Sequence, residues 1–396
     1  MVRKIYNPYE KYGIRRVINA ADTLTRIGGS ISPPEVFRAM EDASKSFVHI
    51  PELQHWAGKI IAEATGAEAG LPTAGSSNAI TLAAAACIMK GTELEKYDPL
   101  ELETWTHIIQ KLPMHSEGLK TEFIVQKLDR NIYDHAVECA GGRFIEAGTD
   151  EGTTEEELDE AFNPEKTAAY YFTDVSSEGC LTLATVARIA HKHGVPVIVD
   201  AASELPPKKN LERYISKGAD LVVISGGKFI AGPNNTGILA GRRDLIKLAH
   251  LQAYPFHGIG RGSKMCRETI VGLVTALKIY LELDEEPLFK EWDKKAEWIA
   301  EQLNVIKGVE AGVTYRTTIE EKEPAWPLCY VEMDKESFGM TEEELSNKLR
   351  AGDPSIEARA MGGRLMINTQ FLLEGDESII AQRIREILTR ARGQAT

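Results

Sequence analysis

Two polar residues stand at the ends of apolar stretches in the middle of the chain, and their types suit acid–base and Schiff-base chemistry. Asp200 ends the apolar run that begins at Val197, and Lys228 follows the run Asp220–Ser225 across two glycines. A carboxylate at the end of a buried parallel strand faces the crevice where α/β proteins bind ligands, and it needs a cation there. A lysine desolvated in that crevice is a good nucleophile. The alternatives are that Asp200 caps the next helix and that Lys228 lies in a solvent-exposed loop.

A third segment has the composition of a phosphate-binding loop. Small and hydroxyl-bearing residues, Thr73–Asn78, precede the apolar helical run Ala79–Met89. At a helix N-terminus, the backbone N–H groups and the helix dipole attract a phosphate. The alternative is a plain N-cap formed by Ser76 or Ser77. The chain therefore contains, in this order, a phosphate loop, a strand-end Asp and a lysine one βα unit later. This order is a more specific signal than any one of the three segments alone.

To position these residues, the chain needs a parallel sheet with covering helices. Between about residues 57 and 275, short apolar runs rich in β-branched residues alternate with helical patterns. Continuous apolar runs are typical of strands that are buried on both faces. The candidate strands are Glu122–Gln126, Arg143–Glu146, Ala168–Thr173, Val195–Val199, Asp220–Ser225 and Gly237–Ala240. The helix Leu183–His193 leads directly into one of them, which predicts a doubly wound α/β domain.

The pattern changes after residue 268 to that of a smaller α+β domain. Its candidate elements are the helix Thr269–Glu282, the strands Cys329–Met333 and Arg364–Asn368, and the closing helix Ile379–Arg392. Thr341 and Glu344 form a capping box that begins another helix. We therefore expect three parts: an N-terminal segment over residues 1–50, a large ligand-binding domain over 51–268, and a linking helix with a small domain over 269–396.

The composition is typical of a globular protein and disfavours several function classes. Of 396 residues, 43% are hydrophobic and 27% charged, and 46 Lys and Arg against 59 Asp and Glu give a net charge of −13. Nucleic acids and anionic membranes attract clustered Lys and Arg, so an acidic chain does not suit them. Five single cysteines without a CxxC spacing predict neither a zinc site nor a disulfide framework. Without an apolar leader or an apolar stretch of about 20 residues, a cytoplasmic protein is expected.

In the order of its segments, the chain resembles the fold-type-I enzymes that use pyridoxal 5'-phosphate (PLP). More narrowly, it resembles the selenocysteine synthase-like family, which includes an ammonia-lyase for an aminosugar acid. The stretches that carry the resemblance are Arg16–Ser30, Glu52–Gly70, Arg130–His135, Val199–Leu205 and Ser225–Gly241. The similarity covers nearly the whole chain, and the last of these stretches is the most specific. It implies a PLP-binding domain with a mostly parallel sheet and a small C-terminal domain.

The resemblance also implies a role for individual residues. Lys228 would form the Schiff base with PLP and remove the proton from the substrate α-carbon, and Asp200 would pair with the protonated pyridine nitrogen. The other implied contacts are Gly75, Ser76 and Ser225 at the phosphate, Ser77 and Ser203 beside the ring, and Tyr133 or His135 stacked on it. For His135, an ordinary position on a helix face is the alternative.

Basic residues in family-like segments are candidates for binding a carboxylate or phosphate of the substrate, with a solvated side chain as the alternative. They are Arg26, Arg261, Lys264 and Arg364. Many relatives of this fold have an Arg in the small-domain strand where this chain has Met366. Arg364 lies on the same strand face, because side chains repeat with a period of two, and could replace it. Asp22 also stands where Gly is more usual, and Leu128–Asp129 replace a Gly–His pair, so we expect an altered substrate pocket.

The resemblance predicts a PLP-dependent lyase that acts on a β-hydroxy or sugar-derived amino acid and releases ammonia and a 2-keto acid. A PLP-dependent racemase or aminotransferase is the main alternative, because removal of the α-proton serves these reactions too. A selenium transferase acting on seryl-tRNA suits an acidic chain less well, and a non-catalytic PLP-binding protein would have no need of the Lys228–Asp200 pair. The expected partners are a small-molecule substrate and further copies of the chain, with no nucleic acid, membrane or metal. The turn Pro233–Gly237 and the N-terminal segment are expected at the interface of a homodimer or larger even assembly.

Overall fold

The computed structural model describes residues 7–101, 106–174, 178–317 and 324–395. They form two compact units. The large unit contains Ser30–Leu283, and the small unit contains residues 7–29, 284–317 and 324–395. Residues 1–6 of the expected N-terminal segment lie outside the described residues.

Strands and helices are numbered along the chain. The strands are β1 (Val17–Asn19), β2 (Ala69–Thr73), β3 (Glu122–Gln126), β4 (Arg143–Ala147), β5 (Thr167–Thr173), β6 (Val197–Asp200), β7 (Leu221–Ser225), β8 (Gly237–Gly241), β9 (Val309–Thr317), β10 (Pro324–Met333), β11 (Ser355–Glu357), β12 (Arg359–Met361) and β13 (Arg364–Asn368). The α-helices are α1 (Pro34–Ser44), α2 (Ile50–Thr65), α3 (Ser76–Met89), α4 (Thr106–Ile109), α5 (His135–Cys139), α6 (Glu155–Glu160), α7 (Leu183–Lys192), α8 (Asn210–Ser216), α9 (Arg243–Gln252), α10 (Arg267–Glu282), α11 (Glu285–Asn304), α12 (Lys335–Phe338), α13 (Glu342–Ala351) and α14 (Asp376–Ala395). Across the described ranges, no helix has the length and apolar character needed to cross a membrane.

The large unit is built on a seven-stranded sheet with the strand order β2-β8-β7-β6-β5-β3-β4. The strands from β3 to β7 run parallel to their neighbours within this group, and β8 runs antiparallel to both β7 and β2. Every residue of β3, β5, β6, β7 and β8 is buried, as expected where helices cover both faces of a sheet. This topology confirms the predicted α/β fold with a mostly parallel sheet.

Two hydrophobic clusters cover the two faces of this sheet. Along β3, Phe123 and Val125 belong to the cluster formed with α3 and α9, whereas Ile124 belongs to the cluster formed with α2, α7 and α10. Successive side chains of a strand point to opposite faces, so the two clusters follow directly from this alternation. In the helix α3, every residue from Ala79 to Met89 except Thr81 is buried, and its many alanines let it lie close to the strands.

The small unit contains an antiparallel sheet with the order β12-β13-β10-β9 and a separate parallel pair, β1 and β11. On β13, Leu365 and Ile367 are fully buried in a core that also contains residues of α11 and α14. Arg364, Met366 and Asn368 alternate with them and therefore lie on the other face. The predicted capping box of Thr341 and Glu344 is confirmed at the start of α13.

Some elements differ from the expected ones for identifiable reasons. β2 was not predicted, because Gly70 and Pro72 disfavour a strand, yet β2 lies at the edge of its sheet, where a missing N–H is tolerated. The expected part boundaries were residues 50 and 268, whereas α1 and α10 pack against each other within the large unit. The apolar face of α10, with Leu273 and Leu277, lies in the core of that unit and keeps the helix there.

Candidate functional site

The sheet of the large unit brings predicted polar residues to one edge. β6 ends at Asp200 and β7 ends at Ser225, so both residues lie at the carboxyl ends of parallel neighbours. Gly237, the first residue of β8, pairs with Ser225 on one side and with Thr73, the last residue of β2, on the other. These strand ends form one continuous edge, which we call the carboxyl edge. Open α/β sheets bind their ligands at such an edge.

The N-terminus of α3 lies against the carboxyl edge. Its N-cap is Gly75, with a φ of +87° that favours glycine, so the alternative of Ser76 or Ser77 as the N-cap is wrong. A Cβ added at Gly237 would lie 2.8 Å from the nitrogen of Ser76, so only glycine allows β8 to approach the helix this closely. Ser76 and Ser77 are the first two helical residues. The first N–H groups of a helix lack intrahelical acceptors, and this arrangement suits a phosphate.

Lys228 follows β7 on a turn whose backbone is held in place. The hydroxyl of Ser30 donates to the carbonyl oxygens of Gly227 and Lys228 at 3.0 and 2.7 Å. A Cβ added at Gly227 would lie 2.5 Å from the carbonyl oxygen of Asn234, so the turn requires glycine at this position. The Lys228 side chain is half-buried, and its positive charge opposes the rise in the pKa of Asp200 that burial causes. The structure therefore brings the predicted lysine and carboxylate into electrostatic contact.

Asp200 is a buried carboxyl whose local partners only partly stabilise its negative charge. Its Oδ1 accepts a hydrogen bond from the N–H of Ala202 at 3.0 Å, and its Oδ2 accepts a long one from the hydroxyl of Tyr171 at 3.5 Å. Burial raises the pKa of Asp200, although the Ala202 N–H and the Lys228 charge oppose this effect. A cationic N–H donor beside the carboxyl would stabilise its charged form. The protonated ring nitrogen of PLP is such a donor, so the site fits this cofactor.

The segment Asn131–His135, from which Tyr133 or His135 is predicted to stack on the ring, also turns an acid inward. Asp134 is buried, and its Oδ2 accepts hydrogen bonds from Nε of Arg130 at 2.6 Å and from the N–H of Asn131 at 3.0 Å. Its Oδ1 is also buried and has no hydrogen-bond partner among the described residues. The side chains of Tyr133 and His135, on either side of it, are exposed in the single chain. The capping box of Asn131 and Asp134 is the sequence signal that could have identified this inward-facing acid.

Two further buried acids follow parallel strands at the same edge of the sheet. Asp129 follows β3 and accepts hydrogen bonds from Nε2 of Gln126 at 2.9 Å and from Sγ of Cys180 at 3.3 Å. Burial raises the pKa of Asp129 to about 6. Asp174 follows β5 and accepts a hydrogen bond from the hydroxyl of Tyr214 at 2.6 Å. The same strand-end pattern that identified Asp200 would have found both acids.

The two predicted serines that follow β-strands have different surroundings. Ser225 is buried as the last residue of β7. Ser203, three positions after the end of β6, donates its hydroxyl hydrogen bond to Glu204 at 2.9 Å. Ser225 is therefore fixed by the sheet, whereas the Ser203 hydroxyl is oriented by a neighbouring carboxylate.

The four predicted basic residues divide between the two units. In the large unit, Arg261 and Lys264 both lie over the ring of Tyr254, at 5.1 and 5.8 Å from its centre. In the small unit, Arg26 forms an ion pair with Glu357 at 3.0 Å. Arg364, also in the small unit, forms an ion pair with Glu332 and lies over the ring of Tyr330 at 4.5 Å. Neither unit gathers all four residues into a single basic pocket.

Known proteins are similar to this chain over most of its length. The family model "Aminotransferase class-V" matches residues 143–326. A 5'-C-glycyluridine monooxygenase-decarboxylase of Streptomyces is 30% identical, over 98% of this chain and 94% of its own length. A D-glucosaminate-6-phosphate ammonia lyase of Salmonella typhimurium is 28% identical, over 97% of this chain and 99% of its own length.

A solved structure and a further relative show how far the similarity to each kind of enzyme extends along the chain. A solved D-glucosaminate-6-phosphate ammonia-lyase has a TM-score of 0.78 to this chain at 28% identity, and the match covers 98% of this chain and 99% of the other. An L-seryl-tRNA(Sec) selenium transferase of Caldanaerobacter subterraneus is 26% identical, but over only 50% of this chain and 47% of its own length. The similarity to the ammonia-lyase therefore extends through both units, whereas the similarity to the selenium transferase covers half of the chain.

Proposed function

The chain belongs to the selenocysteine synthase-like family of fold-type-I PLP-dependent enzymes, and we propose that its substrate is an amino acid derived from an aminosugar. It is a PLP-dependent lyase, and in the proposed reaction it eliminates from the β-carbon and releases ammonia and a 2-keto acid. The observation that carries the proposal is the carboxyl edge, where Lys228 on its fixed turn acts electrostatically on the buried Asp200. The similarity of both units to a D-glucosaminate-6-phosphate ammonia-lyase supports the choice of an aminosugar acid.

The cofactor contacts follow from the geometry of this edge. The backbone N–H groups of Ser76 and Ser77, at the start of α3, would hold the phosphate with the hydroxyl of Ser225. Asp200 would hold the proton on the ring nitrogen, because its carboxyl is buried and gains a cationic partner. Asp134 adds a second negative charge that raises the pKa of Asp200, which increases the preference of this region for a cation.

The reaction depends on one proton transfer at Lys228. When bound, PLP withdraws electron density from the α-carbon of the substrate and makes its proton acidic. The Nζ atom of Lys228 takes that proton, and the hydrogen bond from Ser30 to the Lys228 carbonyl fixes the turn that carries the amine. The hydroxyl then leaves the β-carbon with the bonding electron pair and is protonated, so that the α-proton and the hydroxyl together account for the one water lost. Addition of one water to the resulting unsaturated amine releases ammonia and leaves the 2-keto acid.

Direct assays of the purified protein test this function. Wild-type protein loaded with PLP should release equal amounts of ammonia and 2-keto acid from D-glucosaminate or its 6-phosphate. Lys228→Ala should lower turnover by at least about a thousandfold, because both the anchoring amine and the base are lost. Racemisation or transamination of these substrates without net ammonia release would contradict the proposed lyase reaction.

We also propose that the protein is a cytoplasmic homodimer or larger even assembly, with a small-molecule substrate and no nucleic acid as a partner. The net charge of −13 supports the last point, because tRNA attracts basic surfaces. Exposed aromatic side chains between α1 and α2 and on those helices support self-association, since Phe37, Phe47 and Trp56 are 58%, 95% and 41% exposed in the single chain. Sedimentation should give an even multiple of the chain mass, and a fully active monomer would contradict this assembly.

A further inference from the structure

The buried acid Asp134 has a carboxylate of which only one oxygen is bonded. Its Oδ2 accepts hydrogen bonds from Arg130 and from the N–H of Asn131, whereas its Oδ1 has no hydrogen-bond partner among the described residues. The whole residue is only 2% exposed. A buried carboxylate oxygen without a partner is costly unless positive charge lies nearby. Asp134 therefore gains from any positive charge that enters its surroundings.

The turn that carries Asp134 is attached to the carboxyl edge. Asn131 and Asp134 form the capping box of this turn. The Nδ2 of Asn131 also donates a hydrogen bond to the hydroxyl of Thr173 at 3.4 Å. Thr173 is the last residue of β5 and lies opposite Asp200 in the parallel pair of β5 and β6. The capped turn is therefore fixed to the strand beside Asp200.

A series of side-chain contacts also connects Asp134 with Asp200. The guanidinium of Arg130, which pairs with Asp134, lies over the ring of Phe144 at 4.6 Å from its centre. Phe144 meets the ring of Tyr171 edge to face, with ring centres 5.4 Å apart. The hydroxyl of Tyr171 donates to Oδ2 of Asp200. The two acids therefore belong to one packed cluster of the large unit.

The charges in this cluster act on each other. Burial raises the pKa of Asp200 and of Tyr171, and the negative charge of Asp134 raises both further. Arg130 compensates this charge only in part, because it also pairs with Glu146 at 2.7 Å. One guanidinium is thus shared between two carboxylates. Since few water molecules reach a buried group, the charge of Asp134 acts strongly on its neighbours.

We infer that Asp134 is a positioning residue that, together with Asp200, stabilises positive charge on the ring nitrogen of the cofactor. This inference rests on the proposed PLP-dependent function, in which Asp200 is the direct partner of that nitrogen. Protonation of the nitrogen adds one positive charge to a region that contains both carboxyl groups. The charge of Asp134 favours the protonated ring over the neutral ring without contact between them. A protonated ring withdraws electrons more strongly, which is the property that the reaction uses.

Two cofactor forms that differ at one ring atom test this inference by binding. PLP accepts a proton at its ring nitrogen, whereas 1-deaza-PLP has a C–H group in that place and carries no charge there. The full-length PLP-free protein is titrated with each compound, and absorbance gives a dissociation constant for each. The ratio of the two constants, which we call the PLP preference, isolates the contribution of the ring nitrogen, because the other contacts are shared.

The variants separate the buried charge from an exposed one. Asp134→Asn and Asp134→Thr both remove the charge and keep an oxygen that accepts the hydrogen bond from the N–H of Asn131. The matched control is Glu146→Gln, which removes the other carboxylate partner of Arg130 at a side chain that is 45% exposed. Asp200→Asn is the reference, because it removes the direct partner of the ring nitrogen.

The expected changes in PLP preference differ in size. Both Asp134 variants should lower it by about three- to tenfold, because the lost charge is buried. Glu146→Gln should change it by less than about twofold, since water screens an exposed charge. Asp200→Asn should lower it most. Adding Asp134→Asn to Asp200→Asn should cause little further loss, because the two acids act on the same ring charge.

Other results would overturn the inference. An equal loss of affinity for PLP and 1-deaza-PLP in the Asp134 variants, partial or complete, would indicate a purely structural role. An unchanged PLP preference in these variants, or the same change in Glu146→Gln, would exclude a specific effect of the buried charge. An unchanged PLP preference in Asp200→Asn would instead contradict the proposed site itself. The reference variant therefore distinguishes a failure of the proposed function from a failure of this inference alone.

Discussion

The carboxyl edge of the large unit and a cavity of the small unit, lined by Arg316, Arg359 and Arg364 with Asp22 and Glu332, present their charges in different ways. At the edge, Asp200 is buried and its pKa is raised, so a cation that enters the site stabilises it. In the cavity, Arg359 is half-exposed and its anionic partner lies 3.7 Å away. Buried groups on a fixed backbone suit a cofactor that stays bound, whereas the exposed guanidinium has only this distant partner among the described residues. The contrast predicts that mutations at the edge affect cofactor chemistry and stability together, and that neutralising the exposed pair in the cavity changes stability little.

The largest expected effect in this comparison comes from neutralising the buried acid. Asp200→Asn should lower turnover by about 100-fold or more, because an electrostatic partner of the reacting system is lost. The PLP-free variant should be more stable than PLP-free wild type at pH 7, since burial raises the pKa of Asp200 and makes its charged form unfavourable. This gain should be lost by about pH 3, below the pKa of the carboxyl in the unfolded chain, because the carboxyl is then largely protonated in both the folded and the unfolded state. Steady-state kinetics and denaturant unfolding at both pH values measure these effects.

A different outcome for Asp200→Asn would contradict this contrast between the edge and the cavity. If Asp200→Asn destabilised the PLP-free protein at pH 7 while leaving turnover unchanged, the carboxyl would have a structural role only. The edge would then resemble an ordinary buried hydrogen-bonding site.

The close approach of β8 to α3 gives a smaller expected effect. Gly237→Ala would place a Cβ 2.5 Å from the carbonyl carbon of Gly75, so the N-terminus of α3 must shift. We expect a loss of about 2–3 kcal/mol in the free energy of unfolding and weaker PLP binding. Gly262→Ala is the matched control, because a Cβ there meets nothing within 4 Å. Equal PLP affinity in the two variants would show that the start of α3 does not contribute to the cofactor site.

The smallest expected effect concerns the pH dependence of stability at Asp129. Burial raises the pKa of Asp129 to about 6, so the folded protein keeps this proton to a higher pH than the unfolded chain does. The contribution of Asp129 to stability is therefore fully present below about pH 4 and is lost as the pH rises through about 6, by about 3 kcal/mol in all. Asp129→Asn should remove this decline, and unfolding measured from pH 4 to pH 7 gives the slope. An unchanged slope would mean that Asp129 ionises normally.

The sequence allowed prediction of the residues that local patterns fix. Asp200 and Lys228 each follow a continuous apolar run, and such runs predict strands of a parallel sheet whose ends meet at one edge. The alternative interpretation of Thr73–Asn78, a plain serine N-cap, is wrong, because the close contact between Gly75 and Gly237 that fixes the start of α3 is not visible in the local sequence. The sequence prediction for this segment named the rings of Tyr133 and His135 and overlooked Asp134, which lies between them in the sequence.

Arg359 was missed because its position depends on strand pairing. The Gly362–Gly363 dipeptide, with positive φ at both residues, joins β12 to β13 as a two-residue hairpin. Recognising that turn would have placed Arg359 opposite Met366 from the sequence alone. The ion pair with Asp22 could not be inferred in this way, since it brings together residues far apart in the chain.

The most direct test of the central claim is to identify the lysine that holds PLP. Wild-type protein loaded with PLP is reduced with borohydride, which links the cofactor permanently to its lysine, and the digested peptides are analysed by mass spectrometry. We predict that the added pyridoxyl group lies on Lys228 and that Lys228→Ala, treated in the same way, carries none. Attachment to another lysine in the wild type, or no attachment at all, would contradict the assignment of the carboxyl edge as the active site.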